Sequence, residues 1–446
     1  MKILHYALGF QKYGGGGLTK YCMDLMTEQK RQGDEVFMLW PGRMKKKAEV
    51  RIVKRKNEAG FGSFELVNPM PVALLRGIKE IEPFICPTDK SVYVSFFKEN
   101  HFDVIHLHTL MGLPKEFLEA AKEFHIKSVF TSHDFFGLCP RVNLLYHGSC
   151  CAYDKNCTGC AECNRNAISL DKIRMQQSGL YRTLKKSRIL NKLKKYHNKP
   201  LQMPEKDTDI TKKDNSEKSK RYVTLRNYYL EMFHLVTKLH FNSTTTEKIY
   251  RDFQVNTYGK TISITHGDIT DARKKREYGD KIRLGYLGPA SYRKGFFVLK
   301  EVLDSLQDSY KDRFELHLYS RNQSECDYIV EHKPYDYAEM PQVMDSIDML
   351  VLPSICRETF GFTVLEALSY GVPVMINKNV GARDLVEDYK SGIIFDATPE
   401  DMKVKLQEVL DRGPGMLQDM NAYICDRQNI KTMEIHAKEM REFYQH

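Results

Sequence analysis

The chain has 446 residues, 42% hydrophobic and 28% charged, which is room for two domains with a full core in each. No apolar run reaches the roughly 18 residues that span a bilayer, so no membrane-crossing helix is expected. The formal charge of +10 is local: residues 165–226 hold 18 Lys/Arg against 6 Asp/Glu, which leaves the remainder slightly acidic. That excludes basicity as a property of the whole fold and points to one local contact with an anionic surface or a phosphorylated acceptor.

Met1 to Leu8 is too short for a signal peptide and reads as a first strand, which suits a cytoplasmic protein with reduced cysteines or metal-bound ones. The glycine run Gly14–Gly17 follows. Next comes a helical pattern from Leu18 to Lys30, stopped by Gly33, and then the strand Val36–Trp40. Glycines between a strand and a helix let the backbone approach a phosphate closely. The pattern is not G-x-G-x-x-G, so a nicotinamide or flavin site is a poor match. Residues 41–100 read as irregular. Asp103–His108 is a strand, Lys115–Phe124 a helix, and Ser128–Asp134 a strand that ends in His133-Asp134. The carboxyl end of a parallel strand is where open α/β sheets bind ligands. His106 and His108 read as core or supporting residues.

Six of the eleven cysteines fall between Cys139 and Cys163. Thiolates two residues apart can chelate one tetrahedral ion, which predicts a structural zinc site on Cys157, Cys160 and Cys163 with Cys150 or Cys151 as fourth ligand. An iron–sulfur cluster fits less well, because the usual downstream Cys-Pro is missing. Leucines and an isoleucine at helical spacing among cations from Leu180 to Lys195 predict an amphipathic helix at a membrane interface. Lys199–Lys220 is polar and reads as loop or disorder. Tyr222–Val236 resumes a helix, Leu239–Asn242 is a strand, Ser243 caps a helix, and Thr261–Ile264 with His266-Gly267 leads out of the first domain.

After a linker at 266–281, Ile282–Gly288 starts a second α/β unit. Its loop Gly288–Gly295 carries Arg293 and Lys294 into a helix at Phe296–Leu306. Phe314–Tyr319 is a strand. Asp348–Pro353 is a short apolar run that suits a buried parallel strand. The stretch Glu358–Glu366 then runs from a glycine-bearing loop into a helix that breaks at Gly371-Val-Pro373. A strand, a loop and a helix start form an anion site of free N–H groups, here bracketed by two glutamates. Strands at 374–377 and 392–395 and a helical tail from Met402 to Phe443 complete the pattern.

The Glu-x7-Glu spacing, the Lys294-Gly295 pair and the glycine loop with its helix resemble glycosyltransferase family 4, the group 1 retaining enzymes of the GT-B fold. The resemblance implies two Rossmann-like doubly wound domains facing a cleft, here 1–265 and 282–425. A basic, cysteine-rich insertion occupies about 139–228, and a last helix, 426–446, crosses back to the first domain. It implies a nucleoside-diphosphate sugar donor, UDP- or GDP-linked, and a saccharide or lipid-linked acceptor of envelope polysaccharide synthesis. In that frame Gly15, Gly16 and Gly17 face the diphosphate. Lys294, with Arg293, neutralises it, and the N–H groups of Gly361, Phe362 and Thr363 add to that. Glu358 orients the sugar and Glu366 holds the ribose. His133 contacts the sugar or its phosphate, and Asp134 lies on the acceptor side. Residues 335–340 lie where the base is cradled. The family often has an arginine after the glycine that is Gly288 here; this chain has Pro289. The resemblance implies no cofactor for catalysis, and no nucleic acid is expected. Two alternatives stay open: a GT-B nucleotide-sugar epimerase, and a zinc-cluster protein that binds nucleic acid through the basic run.

Overall fold

The computed structural model describes residues 1–10, 16–45, 49–146, 148–151, 156–179, 181, 216–320 and 326–446. Gly15 and the amphipathic run of 182–195 fall outside them. Two large sheets carry the fold. The first contains β1 (Lys2–Tyr6), β2 (Glu35–Pro41), β3 (Arg51–Glu58), β4 (Phe61–Val67), β5 (Val104–Leu107), β6 (Lys127–Thr131), β9 (Lys238–Phe241) and β10 (Gly259–Thr261). Its order is β10-β9-β6-β5-β1-β2-β4-β3, parallel except for β3. A short hairpin, β7 (Leu145–Tyr146) with β8 (Ser149–Cys150), lies outside it.

The second sheet contains β11 (Ile282–Tyr286), β12 (Phe314–Leu318), β13 (Ile329–Glu331), β14 (Met349–Leu352), β15 (Val374–Asn377) and β16 (Gly392–Phe395). Its order is β13-β12-β11-β14-β15-β16, all parallel. Numbered within the sheet this is 3-2-1-4-5-6, the doubly wound order, with a switch point between β11 and β14. The central strands are buried on both faces, which is why Met349–Leu352 and Val374–Ile376 are continuous apolar runs.

The loops that leave the carboxyl ends of β11 and β14 are the ones that carry Lys294 and Glu358. In the first sheet the corresponding break lies between β5 and β1. The loops after β1, β5 and β6 carry the glycine run, His108-Thr109 and His133-Asp134. Topology alone thus aims both sets of residues at one crevice.

The region expected to be irregular contains the β3/β4 hairpin. Ala59 and Gly60 turn it, both at positive φ, as a two-residue hairpin turn requires. The stretch Thr261–Ile264, expected to lead out of the first domain, overlaps the end of the edge strand β10, Gly259–Thr261. The tail is two helices, Pro399–Arg427, kinked at Gly413-Pro414, and Met433–Gln445. The second packs Met433, Ala437, Met440, Phe443 and Tyr444 into a core shared with Tyr21 and Leu25 of the first helix, Gly17–Arg31. Burying a side chain such as Met440 or Phe443 is worth about 1.5–3 kcal/mol each. Polar clasps add direction: Lys238 Nζ donates to the carbonyl of Phe443 at 2.8 Å, and Tyr21 Oη lies 2.8 Å from His436 Nε2.

Candidate active site

A cleft of about 430 Å³ opens between the two sheets. Gly17, His133, Asp134 and Asn242 line it from the first sheet. Arg293, Lys294, Arg357, Glu358, Gly361 and Phe362 line it from the second.

The helix Phe362–Ser369 begins at Gly361, which sits at φ +111 as its N-cap. A Cβ there would lie 3.0 Å from Val380 Cγ1, so shape as well as φ requires glycine. Glu358 bridges to Val380: its N–H donates to the Asn379 carbonyl, and its carbonyl accepts from Gly381. That fixes the backbone and turns the carboxylate into the cleft. Lys294 Nζ lies 2.8 Å from Glu358 Oε1, and the Ser354 hydroxyl also hydrogen-bonds this carboxylate. Burial pushes the Glu358 carboxyl up, but Lys294, Ser354 and Arg293 outweigh it and hold it below the ordinary glutamate range. Glu358 is therefore an acceptor only.

Glu366 is 4% exposed and meets His266, Oε1 to Nε2 3.0 Å. Tyr335 and Tyr337 stand over it electrostatically, and their hydroxyls are pushed up by burial and by its charge. The His266 ring packs on Tyr337 at 5.3 Å and edge-on to Phe362 at 5.2 Å.

Across the cleft, Gly16 caps the first helix at φ +151. A Cβ on Gly17 would meet the Phe362 ring at 3.1 Å, so the glycine loop rests on the start of the opposite helix. Asp134 holds the Phe136 N–H at 2.9 Å and the Thr109 hydroxyl at 3.4 Å. Burial still raises its carboxyl to about 6. Burial also lowers His133, to about 3, so its ring is neutral. Thr359 Oγ1 donates to the carbonyl of His133 at 3.0 Å and ties the signature loop to the His-Asp strand. Lys20 closes the far side, 2.5 Å from Asp268 and 4.6 Å above the Tyr337 ring.

The fold thus gathers Gly17, His133, Asp134, Arg293, Lys294, Glu358, Gly361 and Phe362 around one cleft. Gly16 and Thr363 adjoin it, and Glu366 lies a turn deeper. Sequence reasoning missed Arg357 and His266. Arg357 was legible as the cation next to Glu358. His266 sits 100 residues before Glu366 and gave no local signal.

The cysteines divide. Cys150 points at the second unit, its thiol 3.1 Å from the Ile355 carbonyl and 3.3 Å from Asn379 Nδ2. Cys157 packs in the apolar core. Cys139, Cys151, Cys160 and Cys163 share one neighbourhood: Cys163 feels the other three, Cys151 feels Cys139 and Cys160, and Cys139 feels Cys160. Of the two fourth ligands expected, Cys150 is thereby turned away, and Cys151 stays beside Cys157 and Cys160 at the same core. Among the described residues, the His/Cys/Asp/Glu group whose ligand atoms lie within 4.8 Å of one another is His5, Cys22 and His108.

Residues 268–425 match the family "Glycosyl transferases group 1", and residues 15–156 match "Glycosyltransferase Family 4". The chain is a group 1, family 4 glycosyltransferase. The GT-B fold agrees with this. Sucrose-phosphate synthase from Thermosynechococcus elongatus superposes with a TM-score of 0.58 at 12% identity, covering 100% of this chain and 98% of that one. Anabaena HepE in complex with UDP and glucose superposes at 0.52 and 14%, covering 99% of each. WaaG, a glycosyltransferase involved in lipopolysaccharide biosynthesis, does so at 0.53 and 13%, covering 98% and 99%. A Klebsiella pneumoniae protein of the cps region, described as uncharacterized, is 24% identical over 286 residues. That match covers 64% of this chain and 59% of the Klebsiella protein. Among the described residues of this glycosyltransferase, no helix is long and apolar enough to cross a membrane.

Proposed function

We propose that this glycosyltransferase moves a sugar, with retention, from a UDP- or GDP-sugar to a saccharide or lipid-linked acceptor in envelope polysaccharide synthesis. The observation that carries the reading is the Lys294–Glu358 pair on the cleft wall, facing the glycine loop. As the anomeric bond breaks, negative charge grows on the departing diphosphate. Lys294 can turn to it, with Arg293 and Arg357 beside it and the N–H groups of the helix start aimed the same way. Glu358, acceptor only, then holds sugar hydroxyls. Glu366 takes the two ribose hydroxyls in place of His266.

Retention is attributed to front-face displacement, in which the entering hydroxyl and the leaving diphosphate share one face and no protein nucleophile is used. The UDP complexes of HepE and the cps-region relative support the donor class and the polysaccharide role. The test is incubation with UDP- and GDP-hexoses and a panel of envelope acceptors, with the product's anomeric configuration read by NMR. Inverted product would overturn the retaining assignment. Donor converted without acceptor would favour an epimerase.

Two further parts belong to this reading. The basic segment docks on an anionic membrane surface on the cytoplasmic face. A structural zinc ion sits on Cys157, Cys160 and Cys163, with Cys151 as the fourth ligand. Without an ion, burial holds two of these thiols protonated, Cys151 up to about 11 and Cys163 up to about 12. A bound cation would reverse that.

A further inference from the structure

Behind His133 lies a row of buried histidines from the first sheet: His5 on β1, His106 on β5, His108 in the loop after β5, and His240 on β9. We infer that a one-way chain of hydrogen bonds through them fixes His133 as its Nε2–H tautomer, so that Nδ1 offers a lone pair to a donor-sugar hydroxyl, and that Gln29 and Tyr444 are positioning residues for it.

The direction follows link by link from one fixed end. A carbonyl only accepts, so His240 Nε2–H donates to Ile262 O, 2.7 Å. A neutral His240 then accepts at Nδ1, and Thr131 Oγ1 donates to it at 2.8 Å. That uses the threonine proton, so His106 Nε2–H donates to Thr131 at 2.6 Å. His106 Nδ1 accepts from the Tyr444 hydroxyl at 2.7 Å. The hydroxyl in turn accepts from Gln29 Nε2 at 3.0 Å, which sets the amide orientation. Gln29 Oε1 therefore faces His5 Nε2–H at 2.8 Å. His5 Nδ1 accepts from His108 Nε2–H at 3.0 Å, and His108 Nδ1 accepts from His133 Nε2–H at 3.3 Å. Each link depends on a neutral imidazole, and burial supplies that. It lowers His5 to about 4 and takes His106, His108 and His240 well below the usual histidine range.

The same row contains the close group of His5, Cys22 and His108. The chain engages all four imidazole nitrogens of that group, so a metal there would have to break at least one link. The hydrogen bonds explain the residues without one.

His133 thus reaches the cleft, which Glu358 also lines, as an acceptor. A neutral acceptor complements a hydroxyl and not a phosphate oxygen. Of the two contacts expected for His133, the sugar is the one it fits. This rests on the proposed donor class. The tautomer itself does not, and it is measured without any ligand.

The experiment is ¹⁵N NMR of the full chain labelled at histidine, with His133→Gln to assign the signal. The wild type is expected to show His133 as the Nε2–H tautomer, unchanged between pH 5 and 8. Tyr444→Phe removes the hydroxyl that orients Gln29, which frees the amide to turn over, and His133 is expected to show both tautomers. Gln29→Glu still accepts from His5, and there the Nε2–H form is expected to persist. An Nδ1–H signal in the wild type, or titration near pH 6.5, overturns the inference. A Tyr444→Phe protein that melts like the wild type and keeps one tautomer removes Tyr444 from it. Should Tyr444→Phe fail to fold, the wild-type and Gln29→Glu spectra still decide.

Discussion

Lys294 and Glu358 form an ion pair, Nζ to Oε1 2.8 Å, in the wall between the two sheets, with the lysine side chain 27% and the glutamate 12% exposed. They come from the loops after β11 and β14, the two strands that flank the switch point. The pair holds the Glu358 carboxylate charged and both side chains in place before any donor arrives. Lys294→Ala removes the cation and leaves Glu358 without its counter-charge. We expect a transfer rate lower by about 10²–10³, the usual cost of one electrostatic group at a developing charge. Stability should also fall by about 1–3 kcal/mol. Lys294→Met with Glu358→Gln should recover stability and not activity. Rates and urea midpoints of the three proteins check this; full activity in Lys294→Ala would contradict it.

Asp134 gives a pH signature. Its folded pKa, about 6, lies above the ordinary aspartate value of 3.8, because burial disfavours the charge. The folded state therefore binds a proton more tightly than the unfolded chain. Stability falls as pH rises from about 4 to about 6, and the penalty, on the order of 3 kcal/mol, is full above that. Asp134→Asn should be more stable than the wild type at pH 8, with the difference closing toward pH 4. Thermal melts at both pH values read it. Equal pH dependence in the two proteins would show that Asp134 is not a raised carboxyl.

The glycines of the cleft are replaceable only at a cost that geometry sets. Gly361→Ala places a side chain at φ +111 and 3.0 Å from Val380, for about 1–3 kcal/mol. Gly17→Leu drives a side chain into the Phe362 ring, and its main effect should be weaker donor binding with a nearly unchanged melting temperature. Calorimetric titration with UDP separates the two variants.

The insertion yields two separable outcomes. Purified protein should hold about one zinc per chain by elemental analysis. Cys163→Ser should lose that zinc and melt lower, whereas Cys150→Ser should keep it. Deleting 182–215 should abolish sedimentation with phosphatidylserine vesicles and leave transfer to a soluble acceptor intact. Undiminished binding would remove the docking role.

Much of this was legible in the chain. Glu358, Glu366, Lys294 and the glycine loop each sit at a strand–loop–helix junction, where local pattern and chemistry coincide. What escaped depends on contacts far apart in sequence. β3 is an edge strand carrying Arg51, Lys54 and Lys56 at its exposed positions, and charge of that kind, which protects a sheet edge, reads as loop. His266 meets Glu366 only because the crossover segment folds under the second unit. The histidine row takes its partners from β1, β5, β6, β9 and the last helix, so no window of sequence contains it. The cysteine spacing suggested ligands by proximity in sequence. The β7/β8 hairpin then turned Cys150 away toward Asn379.

The most direct measurement is a thermal-melt panel with UDP, GDP, ADP and CMP on the wild type and Glu366→Ala. A ligand at 100 times its dissociation constant stabilises by about 2.7 kcal/mol, well within reach of a melt. A rise with UDP or GDP alone, lost in Glu366→Ala, is the predicted result. No rise with any of the four would contradict a working nucleotide-sugar site in this cleft.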